Sequence, residues 1–124
     1  VKQVKAFFHS DEDTWLLIFH NKIKAAAEAG SNIKLPGPSA ITSVFNAYFE
    51  GRVMKDERGE DLPPRVAREE KSIYNKIMKM HTQIWHLRDV TRRLLEGKRG
   101  GVVYVPEITE AELRQYRVDG AVSL

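Results

Sequence analysis

Apolar residues recur along the first third of the chain at the spacing of one helical face. Trp15, Leu16, Phe19, Ile23, Ala26 and Ala27 follow the i, i+3, i+4 rule and predict an amphipathic helix over residues 11–29. Ser10 stands ahead of it as a cap for the Asp13 N–H, and Asp11, Glu12 and Asp13 meet the positive end of the helix dipole. Gly30 supplies the stop, and two prolines and a glycine in residues 31–38 (SNIKLPGP) forbid continuation. A second stripe, Ile41, Val44, Phe45, Tyr48 and Phe49, predicts a helix over 39–50 that ends at Gly51. Residues 52–64 (RVMKDERGEDLPP) read as a charged, flexible connection, longer than most helix–helix links.

The third pattern is the longest. Ile73, Ile77, Met80, Ile84, Leu87 and Leu94 alternate spacings of four and three, with Thr91 filling the gap. That period predicts a single helix from Pro64 or Arg65 to Glu96, stopped by Gly97, with a coiled-coil-like seam on one side. Its second half projects beyond what two short helices can cover. Either the C-terminal tail or a second copy of the chain must cover it.

The ends are simpler. Residues 1–9 (VKQVKAFFH) read as an extended arm, with Phe8 or His9 placed to pack back on the first helix. Residues 102–105 (VVYV) form a short β-prone run after Gly100-Gly101. Thr109 followed by Glu112 is the signature of a capping box for a small helix over 110–117. The domain organisation expected is an arm over 1–9, a helical domain over 10–96 and a C-terminal appendage over 97–124.

Composition narrows the class. With 124 residues, 42% hydrophobic and 30% charged, the chain suits one soluble domain with a modest core. No apolar run approaches the ~20 residues of a membrane span, and residues 1–10 lack the apolar stretch of a secretory leader. A chain that starts at Val1 reads as a piece of a longer protein. Cysteine is absent, which excludes disulfides and thiolate metal sites. The net charge of +3 conceals an asymmetry: residues 65–99 hold ten of the twenty basic residues against four acids. A localised basic segment points to a polyanion partner.

Candidate chemistry follows that segment. Arg68, Lys71, Ser72, Asn75, Lys79 and Gln83 lie opposite the apolar seam, flanked by Arg65 and Lys76. A helix of this kind fits the major groove, where Arg, Lys and Asn reach phosphates or base edges. The alternatives are contact with a protein and a plain solvated face, and Glu69 and Glu70 would repel phosphates. A second cluster, Arg88, Arg92, Arg93, Lys98 and Arg99, suits sequence-independent phosphate contact, dipole stabilisation or a nuclear-localisation patch. Lys2 and Lys5 on the arm are placed to reach an adjacent groove or backbone. His9, His20, His81 and His86 have no ligand spacing on one face, so no metal is expected. No nucleophile elbow, phosphate loop or zinc-helix motif occurs, so neither an enzyme nor a cofactor or small-molecule substrate is expected. Trp85, beside the seam, is a candidate for a protein interface.

Ser10-Asp11-Glu12-Asp13-Thr14-Trp15-Leu16-Leu17, then Leu35-Pro36-Gly37-Pro38-Ser39-Ala40-Ile41, then Leu62-Pro63-Pro64-Arg65 leading into the third helix resemble the Myb/SANT family, a homeodomain-like trihelical group, in divergent form over roughly residues 8–82. The resemblance implies an all-α three-helix core, to which the residue pattern adds an extended third helix and a strand-and-helix appendage packed on that extension. It implies one core aromatic per helix: Trp15, then Phe45 or Tyr48, then Tyr74. It also implies that the third helix is a recognition helix, which here would carry Arg65, Arg68, Lys71, Ser72, Asn75, Lys76 and Lys79 against double-stranded DNA; the basic cluster read above adds Arg88, Arg92 and Arg93 as candidate phosphate contacts. The protein expected is a nuclear transcription, telomere or chromatin factor. The competing expectation is a protein-interaction module that dimerises or docks another helix through the Ile73–Leu94 seam, and a third is a SANT-type binder of histone tails with Glu69 and Glu70 as its acidic surface.

Overall fold

The computed structural model describes the backbone of residues 8–123 and the side chains of residues 8–116. Lys2 and Lys5, expected on a DNA-contacting arm, lie outside the described residues. The chain is mostly helical, with one small two-stranded parallel sheet.

Helix α1 spans Ser10–Glu28. Its cap is His9, one residue earlier than expected: His9 Nδ1 accepts the Asp11 N–H at 3.0 Å. The Glu12 carboxylate accepts the His9 N–H at 2.8 Å, closing a reciprocal box. Glu12 stands three residues after His9 and fits this role, whereas Asp13, three after Ser10, is drawn to Lys76 instead. At the far end Gly30 adopts φ +87°. There the Ser31 N–H reaches Ala26 O and the Gly30 N–H reaches Ala27 O, each at 3.1 Å. That is the paired bonding of a Schellman stop, which favours glycine.

Helix α2 spans Pro38–Phe49, with proline in its first turn. It buries Ile41, Phe45 and Phe49 in the core, the two phenylalanines against Trp15 of α1. The Trp15 ring meets Phe45 edge-on at 5.4 Å and stacks on Phe19 at 5.2 Å. Burial of each such ring stabilises the fold by about 1.5–3 kcal/mol.

The charged connection after α2 is not a free loop. Residues 51–65 fold back as a hydrogen-bonded ribbon: Gly51 N–H to Arg65 O, Arg65 N–H to Arg52 O, Leu62 N–H to Met54 O and Asp56 N–H to Glu60 O, all at 2.7–2.8 Å. The Asp56 carboxylate ties its tip by accepting the Arg58 and Glu60 N–H groups at 2.9 Å. Met54 anchors the ribbon in the core.

The expected single helix over 65–96 is corrected to two. Helix α3 spans only Glu70–Asn75 and continues as one π-helical turn, Lys76–Met80. The backbone then breaks at His81 (φ −122°, ψ 97°), and helix α4 spans Thr82–Leu94. The start is delayed because residues 65–68 are committed elsewhere. Arg65 pairs with the ribbon, and the Asn46 amide clamps Arg68, accepting its N–H at 2.8 Å and donating to its carbonyl at 2.9 Å. The break has a packing cause. A straight rod of 32 residues would run ~48 Å and leave its far half bare. The bend lays α4 along α1 instead, burying Ile84 and Thr91. His81 accepts the Ile84 N–H to cap α4. The seam is therefore absorbed internally only in part: Ile73, Ile77 and Ile84 are fully buried in the chain's own core, while Met80 and Leu94 are exposed. Tyr74, expected in the core, is 42% exposed.

The C-terminal part does not pack on a helical extension as expected. Strand β2 (Val102–Val103) pairs in parallel with β1 (Ile33–Lys34), Ile33 opposite Val102. Helix α5 spans Glu110–Ser123, longer than the 110–117 expected, and lies against α1. Its capping box forms: Glu112 accepts the Thr109 N–H at 3.1 Å, and Thr109 Oγ1 accepts the Glu112 N–H at 3.2 Å. Lys22 holds Glu112 at 2.5 Å and pulls its carboxyl below the usual range. Beside the sheet, a Cβ on Gly101 would stand 3.0 Å from backbone atoms of Asn32 and Ile33. Gly101→Ala is expected to part these strands, costing about 1–3 kcal/mol in urea-unfolding midpoints. An unchanged midpoint would show that the strand pair contributes nothing.

Candidate nucleic-acid interface

The cations of the expected DNA-binding face have two separate fates. Glu12, 1% exposed, lies where α1 meets the segment before α3. The Arg65 guanidinium bonds its Oε1, while Arg68 bonds Oε2 through Nε and Oε1 through Nη2, both at 3.1 Å. Next to it Lys76 Nζ meets Asp13 at 2.9 Å. The Phe8 ring closes this knot, with the Arg68 guanidinium 3.8 Å and the Lys76 ammonium 4.8 Å from its centroid. Arg65, Arg68 and Lys76 therefore face inward, each bonded to an acid of α1.

The remaining residues form an open side. Lys71 and Lys79 are exposed, and Ser72 and Asn75 are half-exposed. Lys71, Asn75 and Lys79 follow one another at steps of four along α3 and its π turn, opposite the buried Ile73, Lys76 and Ile77. Neither lysine has a carboxylate partner among the described residues. The Lys79 ammonium sits 5.9 Å from the centre of the Tyr74 ring.

The second basic cluster is divided as well. Arg92 and Arg93 are exposed but share Asp89, at 2.6 and 3.2 Å. Arg88 is half-buried between α4 and α1, and its Nη1 has no hydrogen-bond partner among the described residues. Burial, and then the charge of Arg92, lowers its pKa below the usual guanidinium range. His20, on the face of α1 turned toward Arg88, is 1% exposed and bonds Leu16 O through Nδ1 at 2.7 Å. Burial is the largest cause that lowers its pKa to about 4, with the Arg88 charge adding to it against the opposing Leu16 bond.

The role of Glu12 was missed in reading the three acids together as dipole partners. A signal existed: Glu12, Trp15, Leu16, Phe19 and Ile23 lie on one helical stripe, so its carboxylate had to enter the core with cations around it. Among the described residues no group of three His, Cys, Asp or Glu side chains is placed to hold a metal ion. No helix among them is long and apolar enough to cross a membrane.

No family model, no curated protein and no solved structure matches the chain.

Proposed function

We propose that the chain is a duplex-DNA-binding unit of the Myb/SANT-like trihelical kind, built from α1, α2 and α3, in a nuclear transcription, telomere or chromatin protein. The observation that carries the reading is the open side with Lys71, Asn75 and Lys79 at helical spacing and, among the described residues, no acid bonded to either lysine. In this reading Lys71 and Lys79 meet phosphates while Asn75 and Ser72 approach base edges. Arg65, Arg68 and Lys76 hold α3 on α1 through Glu12 and Asp13 and do not leave for DNA. The phosphate footprint is accordingly small.

A small footprint makes a quantitative expectation. Binding of a fluorescent 20-base-pair duplex should weaken with salt with a log–log slope of about −2 to −3, as two or three neutralised phosphates require. Replacing Lys71, Asn75 and Lys79 with alanine should abolish binding while circular dichroism stays helical. The proposal fails if wild type binds no duplex at low salt, or if the triple variant binds as well as wild type.

A further inference from the structure

We propose that the elbow between the π turn and α4 is a docking site for an acidic peptide segment of a partner protein, one carrying a single large apolar anchor. The bend at His81 opens a recess of about 220 Å³ lined by Met78, Lys79, His81, Thr82 and Trp85. Three large apolar side chains stand exposed along this stretch: Trp85 is 44%, Tyr74 42% and Met80 64% exposed. Tyr74 joins the recess through Lys79, whose ammonium lies over its ring. A tryptophan and flexible thioethers around a hole for one side chain are the composition of an interface anchor point.

Charge selects the partner. Lys79 stands at the rim with no carboxylate bonded to it among the described residues, and Lys71 lies two turns back on the same side. Of the acids nearest along the helices, Glu70 is one turn before Tyr74, while Asp89, one turn after Trp85, is engaged by Arg92 and Arg93. Carboxylates flanking the anchor would meet Lys79 across a desolvated rim. Bases are the weaker fit. Lys79 lies over a face of Tyr74, which leaves fewer ring faces for stacking, and Met78 and Met80 offer nothing to a phosphate. The site does not depend on duplex binding, although Lys79 belongs to both surfaces.

Selection from a displayed random 12-residue peptide library on the whole chain, with counter-selection on Trp85→Ala, tests the proposal. Enriched peptides should carry one Leu, Phe or Met flanked by Asp and Glu. Their binding should weaken at least tenfold on Trp85→Ala and on Lys79→Glu, with circular dichroism unchanged for both. A basic consensus, or no peptide that distinguishes wild type from Trp85→Ala, overturns the proposal. So does a 12-nucleotide single strand that displaces the peptides from the recess, or self-association in sedimentation that Trp85→Ala abolishes. Trp85→Ala should leave duplex affinity within twofold. A wild type that binds no duplex while peptide selection succeeds would therefore overturn the DNA reading alone.

Discussion

Glu12→Ala is expected to lower unfolding stability by about 3–5 kcal/mol, a large part of the 5–15 kcal/mol that holds a domain of this size. The loss comes less from the bonds removed than from what remains. Arg65 and Arg68, whose side chains are 10% and 11% exposed, would keep their charges in a desolvated setting without Glu12 as counter-ion. The His9 N–H would also lose its acceptor at the start of α1. Removing all the charges together should restore much of the loss, because well-packed apolar groups replace a buried ion group at little cost. The measurement is a urea series on Glu12→Ala and on Glu12→Leu combined with Arg65→Leu and Arg68→Met. A loss under about 1 kcal/mol in the single variant would place the knot among surface pairs of small worth.

The second large effect is a loss of stability in mild acid. His20 is neutral in the fold, donating its Nδ1–H to Leu16, and its pKa lies at about 4 against an ordinary value of 6.5. Between those two values the unfolded chain binds a proton that the folded chain refuses. Stability therefore falls as pH drops from 6.5 toward 4 and levels off for this group below that. The gap corresponds to roughly 3 kcal/mol. Carboxylates begin to titrate at the acid end of the same window, so the comparison must be with His20→Leu. The variant's stability curve should lack the slope of one proton between pH 6.5 and 4.5. Parallel curves for the two proteins would mean that His20 becomes protonated in place.

Both effects arise where sequence reading reached its limit. The stripes of α1 and α2, the stop at Gly30 and the box at Thr109 and Glu112 rest on residues within about one to five turns of each other, and they were legible. The delayed start of α3 was not, because it depends on the Asn46 amide reaching Arg68, 22 residues away. The elbow at His81 was hidden for a related reason. Ile73, Ile77 and Ile84 keep a heptad-like rhythm whether the helix runs on or turns, and burial on α1 decides between the two. The basic face was legible as composition but not as geometry, since spacing alone does not say which cation has an acid waiting for it.

By itself the chain determined where helices α1 and α2 lie, which sides of them are apolar, and that positive charge gathers between residues 65 and 99. Tertiary structure decided that the third helix folds back and that Arg65, Arg68 and Lys76 turn inward while Lys71 and Lys79 stay out. The physical reason is one of range. A helical face follows from backbone periodicity over a few residues, whereas the direction of a charged side chain follows from its counter-ion. For Arg65 and Arg68 that counter-ion is Glu12, 53 and 56 residues earlier.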